Sequence, residues 1–161
     1  INRRQPRYLM DKIPALVFAA AVAFTLAPVR SAFAAEPPPA DAVVITHTQV
    51  ETAFAHGTPL LMNSSYKIQA GRRVTAPGQV EIHSHDTDIF YITEGNATLI
   101  TGGTTEGAQP AGEGEVRGEK ITGGIKRTLQ QGDIIVIPAG VPHWFTAVSN
   151  PFLYLVIKVT K

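Results

Sequence analysis

The sequence has 161 residues, enough for one domain with a substantial core, and it contains no cysteine, which excludes disulfides and thiolate metal ligands. Its formal charge of +1 is uneven: Arg3, Arg4, Arg7, Lys12 and Arg30 precede residue 35 with only Asp11 against them, so the remainder carries nine basic and twelve acidic residues. No basic stripe is present in that remainder, which argues against nucleic acid as a partner.

Chain order begins with basic residues, an apolar run from Ile13 to Val29 and then Ala32-Phe33-Ala34. Charge, apolar run and an A-x-A triplet, in that order, read as a secretory signal over 1–34 cleaved after Ala34. Met10 heads a shorter signal of the same design and is a candidate start. Arg3-Arg4 forms only a weak twin-arginine signal, because Pro6 stands where an aromatic residue is wanted. The localisation that follows is periplasmic or secreted. The alternative is a retained N-terminal membrane anchor on the periplasmic side, for which a 17-residue run with Pro14 and Pro28 is short.

Residues 35–42 hold three consecutive prolines and read as a linker. The domain then spans 43–161. Val43-Val44-Ile45 is expected as a first strand. Thr48 with Glu51 makes a capping box, so a short helix is expected to run to about Ala55 before Gly57 and Pro59. From Leu60 the pattern is β: Tyr66–Ala70, Gln79–His85, Ile89–Thr93, Ala97–Thr101, Ile134–Ile137, Trp144–Val148 and Phe152–Val159, separated by glycine-bearing turns. Such spacing indicates an all-β sandwich or barrel. Residues 102–124 hold eight glycines and four glutamates, opening and closing on Thr-Gly-Gly. They read as a long solvated loop, or as a lid over the barrel mouth.

Two segments carry chemistry. In Gln79-Val80-Glu81-Ile82-His83-Ser84-His85, strand alternation puts Glu81, His83 and His85 on one face. Histidines two apart on a rigid strand can converge on one atom, and Asp88 at the start of the next strand can return to the same point. In Gly132-Asp133…Pro138-Ala139-Gly140-Val141-Pro142-His143, a tight turn delivers a single histidine at the head of a further strand.

These two segments resemble the two motifs of the cupin superfamily. Gly132, Pro138, Gly140 and His143 match the second motif at every spacing, with Ala147 where asparagine is usual. Gly78, His83, His85, Asp88 and Gly95 follow the first. The departures are that Gly78 is one residue too close, the turn before the acid is short, and the acid is Asp rather than Glu. The resemblance covers Val43 to Val159 and is similar, more narrowly, to small exported bacterial cupins. It implies a single-domain jelly-roll β-barrel with a metal in its mouth and, in many members, a homodimer. The implied ligands are His83, His85, Asp88 and His143, with Glu81 as the substitute acid.

Phe90, Tyr91, Trp144 and Phe145 flank those residues and are candidate pocket-lining groups, with barrel core as the other reading. His47 and His56 read as surface histidines. Arg72-Arg73 reads as a solvated edge, with contact to an anionic substrate as the alternative.

Three imidazoles and a carboxylate suit one divalent Fe, Mn, Ni or Zn ion. A metal-dependent enzyme of dioxygenase, isomerase or lyase type, acting on a small oxygenated molecule, is the first expectation. A non-catalytic binding module and a membrane-anchored structural subunit of an envelope complex are the alternatives.

Overall fold

The computed structural model describes residues 36–161. The expected signal or anchor over 1–34 lies outside them, and no helix among the described residues is long and apolar enough to cross a membrane. Residues 36–42 form no helix or strand and are exposed.

The only helix among the described residues, α1, is His47–His56. Its cap is Thr46 rather than Thr48: the Thr46 hydroxyl accepts from Gln49 N, and the Gln49 side chain accepts from Thr46 N. Thr46 and Gln49 have the same capping-box spacing as Thr48 and Glu51, and using them lengthens the helix by two residues. Val43–Ile45 consequently runs straight into the cap. It forms no strand, and Val44 is 80% exposed. Gly57 closes the helix in the left-handed region at φ 65°, donating to Ala53 O at 2.7 Å. Val50, Ala53 and Phe54 pack on Leu60, Ala70, Leu153 and Leu155, which seats α1 on the outside of the first sheet.

Thirteen strands follow: β1 Pro59–Met62, β2 Tyr66–Arg73, β3 Val80–His83, β4 Asp86–Glu94, β5 Asn96–Thr101, β6 Thr104–Glu106, β7 Gln109–Gly112, β8 Glu115–Gly118, β9 Lys120–Thr122, β10 Ile125–Gln130, β11 Ile134–Ile137, β12 His143–Val148 and β13 Phe152–Thr160. One sheet has the order β1-β2-β13-β4-β11 and the other β10-β5-β12-β3-β8-β7, with β6-β9 as a separate ribbon. The pairings among these strands are antiparallel, as in a jelly roll.

The glycine-rich segment is a folded arm, not one loop. β5 pairs with β10 from Thr101↔Ile125 to Asn96↔Gln130, and β6–β9 continues the same hairpin outward. Gly103 sits at φ 75° between the two ladders, where a Cβ would overlap Thr122 O. The two Thr-Gly-Gly copies thus face each other at the bend. The arm's tip, β7–β8, returns to pair with β3. Backbone pairing, which composition does not report, makes β8 part of the barrel wall.

Alternation decides what faces the interior. β4 turns Asp86, Asp88, Phe90 and Ile92 inward, and β13 buries Phe152, Tyr154 and Val156. Phe90, Phe145, Phe152 and Tyr154 form an aromatic cluster with ring centroids 5.2–5.9 Å apart. Apolar side chains fill one end of the barrel around Ile92, Leu99 and Phe152. The other end holds buried His83, Asp88 and His143.

Candidate metal centre

β3 presents Glu81 and His83, β4 presents Asp88, and β12 opens on His143 directly opposite Glu81. One donor atom from each of Glu81, His83 and His143 lies within 4.8 Å of the others. His83 Nε2 stands 3.6 Å from Glu81 Oε2 and 3.3 Å from Asp88 Oδ2; His143 Nε2 stands 4.0 and 3.8 Å from the same two oxygens. Donors about 2.1 Å from a tetrahedral ion are about 3.4 Å apart, so these separations need only small contraction.

The second nitrogens explain why the first are free. His83 Nδ1 is 2.6 Å from Glu115 Oε2, and His143 Nδ1 is 3.2 Å from Val141 O. Each contact is the outer partner that fixes a ligating imidazole's tautomer and orientation. Both Nε2 atoms are buried: His143 Nε2 has no hydrogen-bond partner, and His83 Nε2 meets only the Asp88 and Glu81 carboxylates, at 3.3 and 3.6 Å. An unpaired buried nitrogen is costly unless something occupies the point it faces. The residues therefore fit a divalent ion held by His83, His143 and Glu81, with Asp88 adjoining.

A ring of cations surrounds the acids. Lys158 Nζ lies 2.8 and 2.9 Å from the two oxygens of Asp88. Glu81 meets Arg73 at 3.2 Å and Arg117 at 2.9 Å. Burial opposes ionisation of Glu81 and Asp88, but these cations and His83 outweigh it and hold both carboxyls below their usual range. Burial also opposes a charge on His83, yet the Asp88 and Glu81 carboxylates raise it to about 9 without an ion. In His143 burial prevails and the pKa is lowered, so that ring stays neutral.

The structure brings His83, His143, Asp88 and Glu81 together and leaves His85 outside. β3 ends at His83, and Ser84–His85 form a bend, so strand alternation no longer governs His85. Its exposed ring sits beside Gly114, where a Cβ would lie 2.6 Å from Cδ2, and it lines an outer cleft of about 490 Å³ with His83, Lys67, Glu113 and Glu115. Glu81, named as the substitute acid, is in the group.

Of the candidate pocket residues, Phe90 and Phe145 line an inner cavity of about 90 Å³ with Arg73, Glu81, Asp88 and Lys158. Tyr91 and Trp144 do not, because each follows or precedes an inward residue on its strand. Tyr91 is 42% exposed, and Trp144 Nε1 donates to Gly78 O at 2.7 Å. Arg72 is exposed, whereas Arg73 folds inward over the Phe145 ring at 5.1 Å. His47 and His56 are exposed at the ends of α1.

Three site residues escape a reading of the sequence: Glu115, Arg117 and Lys158. Glu115 and Arg117 reach the centre because β8 lies opposite β3 with Glu115↔His83 and Arg117↔Glu81. Lys158 has a legible signal, being on the same alternation as Phe152, Tyr154 and Val156 in an otherwise apolar strand.

A two-sheet β-barrel carrying this buried histidine–carboxylate group defines a class of small barrels whose interior could hold a metal ion. The chain belongs to the cupin family: the family model described as Cupin matches residues 34–161. Among solved structures, a protein from Bacillus halodurans is similar at 16% identity and TM-score 0.53, covering 79% of this chain and 86% of its own, which supports the fold. A DMSP lyase from Ruegeria pomeroyi matches at 20% identity and TM-score 0.44, over 62% of this chain. This chain spans only 41% of that lyase's length. A Thermus thermophilus protein matches at 17% identity and TM-score 0.47, covering 65% of this chain and 81% of its own. No curated protein matches the sequence.

Proposed function

We propose that this cupin is an exported, metal-dependent enzyme acting on a small oxygenated molecule by dioxygenase, isomerase or lyase chemistry. The observation that carries the reading is the convergence of the buried Nε2 atoms of His83 and His143 on the Glu81 and Asp88 carboxylates, each imidazole locked by its second nitrogen. A divalent Fe, Mn, Ni or Zn ion there would polarise a bound oxygen and, if redox-active, engage dioxygen. The chain's own residues orient and shield that point: Glu115 and Val141 O aim the imidazoles, while Phe90 and Phe145 exclude water. Export rests on the order of charge, apolar run and Ala32-Phe33-Ala34, and the homodimer on the family resemblance.

The saturated contact between Lys158 and both Asp88 oxygens favours a second reading, a binding module without turnover. Elemental analysis of the protein from the periplasm, beside a His83→Ala/His143→Ala double variant, tests the first. About one equivalent of metal, lost in the variant, with turnover of a small oxygenated compound is expected. Metal without turnover moves the assignment to the binding module. No metal, with the N-terminal segment intact in the membrane fraction, replaces both by a structural subunit. Mass analysis locates cleavage after Ala34, and light scattering reads the dimer.

A further inference from the structure

Another cavity, of about 210 Å³, lies at the seam between the two sheets, where their edge strands β10 and β11 approach each other. Arg127 and Thr101 line it together with Ile135, Ile137, Pro138 and Val141. It shares no lining residue with the inner cavity beside Glu81 and Asp88, or with the outer cleft beside His85. Strand alternation sets Arg127 on the same face of β10 as buried Leu129, while Lys126, Thr128 and Gln130 stay exposed.

Three arginines among the described residues are half-buried: Arg73, Arg117 and Arg127. The first two meet Glu81, at 3.2 and 2.9 Å. Arg127 takes part in none of the ion pairs among the described residues. Its Nη1 donates to Thr101 Oγ1 and to Ile125 O, the latter at 3.3 Å, which holds the guanidinium in place. Its Nε and Nη2 have no acceptor among the described residues. A guanidinium is a planar fork that matches a carboxylate with two parallel hydrogen bonds, and a charge turned in from solvent is costly without a counter-charge.

The lining narrows the ligand. Arg127 is the one charged side chain on the cavity wall, so it balances one negative charge and would leave a phosphate dianion half compensated. Apart from Thr101 the rest of the wall is apolar and suits a hydrocarbon body. The volume falls below the roughly 300–1,000 Å³ of pockets for drug-sized ligands, which limits that body to a single ring or a short branched chain.

We propose that the seam cavity is an anion site in its own right, taking a small monocarboxylate with a compact apolar body. The carboxylate is paired by Arg127, and the body lies against Ile135, Ile137, Pro138 and Val141. The site needs no metal ion and does not depend on the function proposed above.

Calorimetry on the full chain tests it. The protein is stripped of metal with a chelator, checked for native near-ultraviolet dichroism, and titrated with isovalerate and benzoate. Isovaleramide and benzamide are the neutral counterparts, and acetate is the acid without a body. One equivalent of each larger acid is expected to bind, roughly tenfold or more tighter than its amide or acetate, a comparison that needs no variant to fold. Arg127→Met is expected to abolish the preference for acid over amide, and Arg127→Lys, which keeps the charge without the fork, to fall between. Loading with Zn(II) is expected to leave the affinity unchanged. Equal affinity for acids and amides would overturn the proposal, as would a preference that survives in Arg127→Met. Binding that appears only with Zn(II) would put the acid on the metal centre and overturn a separate site. Acetate binding as tightly as isovalerate, or inorganic phosphate as tightly as benzoate, would overturn the assigned ligand class.

Discussion

Lys158 and Asp88 are direct cross-strand partners on β13 and β4, and the lysine ammonium holds both oxygens of the buried carboxylate at 2.8 and 2.9 Å. The acid that the motif offers to a metal is thus already engaged by a cation from its own sheet. Glu81, one strand over in the other sheet, faces the same two histidines and is held by longer-reaching arginines.

Lys158→Met leaves the buried Asp88 charge with His83, 3.3 Å away, as its remaining partner. A loss of about 3 kcal/mol in the metal-free protein at pH 7 is expected from denaturant unfolding. Adding Zn(II) should return part of that loss, because the freed carboxylate then meets the ion. An unchanged midpoint, or a loss that metal does not touch, would remove Asp88 from the centre.

His85 and His83 are separated by one residue and by their surroundings: His83 is buried beside Glu81 and His143, and His85 is exposed. His85→Ala is expected to leave metal uptake within about threefold of the parent, whereas His83→Ala or His143→Ala abolishes it. Equilibrium dialysis decides, and loss of metal in His85→Ala would restore that residue as a ligand.

Glu115→Ala removes the outer partner of His83 Nδ1 without removing a donor. Metal affinity is expected to fall by about 10–100-fold while stoichiometry stays at one. No change would mean that the 2.6 Å contact does not orient the ring.

The raised pKa of His83, about 9 in the metal-free protein, gives a signed pH dependence. Its ordinary value is 6.5, so protonated His83 stabilises the metal-free fold fully below about pH 6.5, and that contribution is lost as pH rises through about 9. An ion must displace the proton, so affinity should climb by about one decade per pH unit from neutrality toward 9. Metal titrations at several pH values, corrected for buffer competition, check the slope; a flat profile contradicts it.

Gly71 on β2 lies opposite Tyr154 on β13, and a Cβ there would overlap the Tyr154 ring. Gly71→Ala is expected to cost about 1–3 kcal/mol through displacement of that ring from the aromatic cluster. Thermal unfolding, with near-ultraviolet dichroism for the tyrosine, reads both effects.

Much of this centre was legible because strand alternation and turn chemistry are local. β11 has the bounds that its apolar run suggests, Ile134–Ile137, and His83, Asp88 and His143 converge as their spacing implies. His85 lies apart from the other histidines because alternation says which face a residue takes only while the strand lasts, and β3 stops two residues early. Tyr91 could have been set aside, since Phe90 and Tyr91 are consecutive and cannot both point inward. Glu115 and Arg117 had no local signal, because their place depends on a strand pairing formed across thirty-odd residues of chain.

The position of β13 has a consequence for how the protein is made. It lies between β2 and β4, so the first sheet has a gap at its middle until residues near 160 are available. Pairings that distant in sequence form late and slowly. An incomplete nascent chain would therefore present two unpaired strand edges and no lysine for Asp88. Such a chain stays open to chaperones until synthesis has passed its last strand, and a centre able to hold metal appears only on the finished barrel.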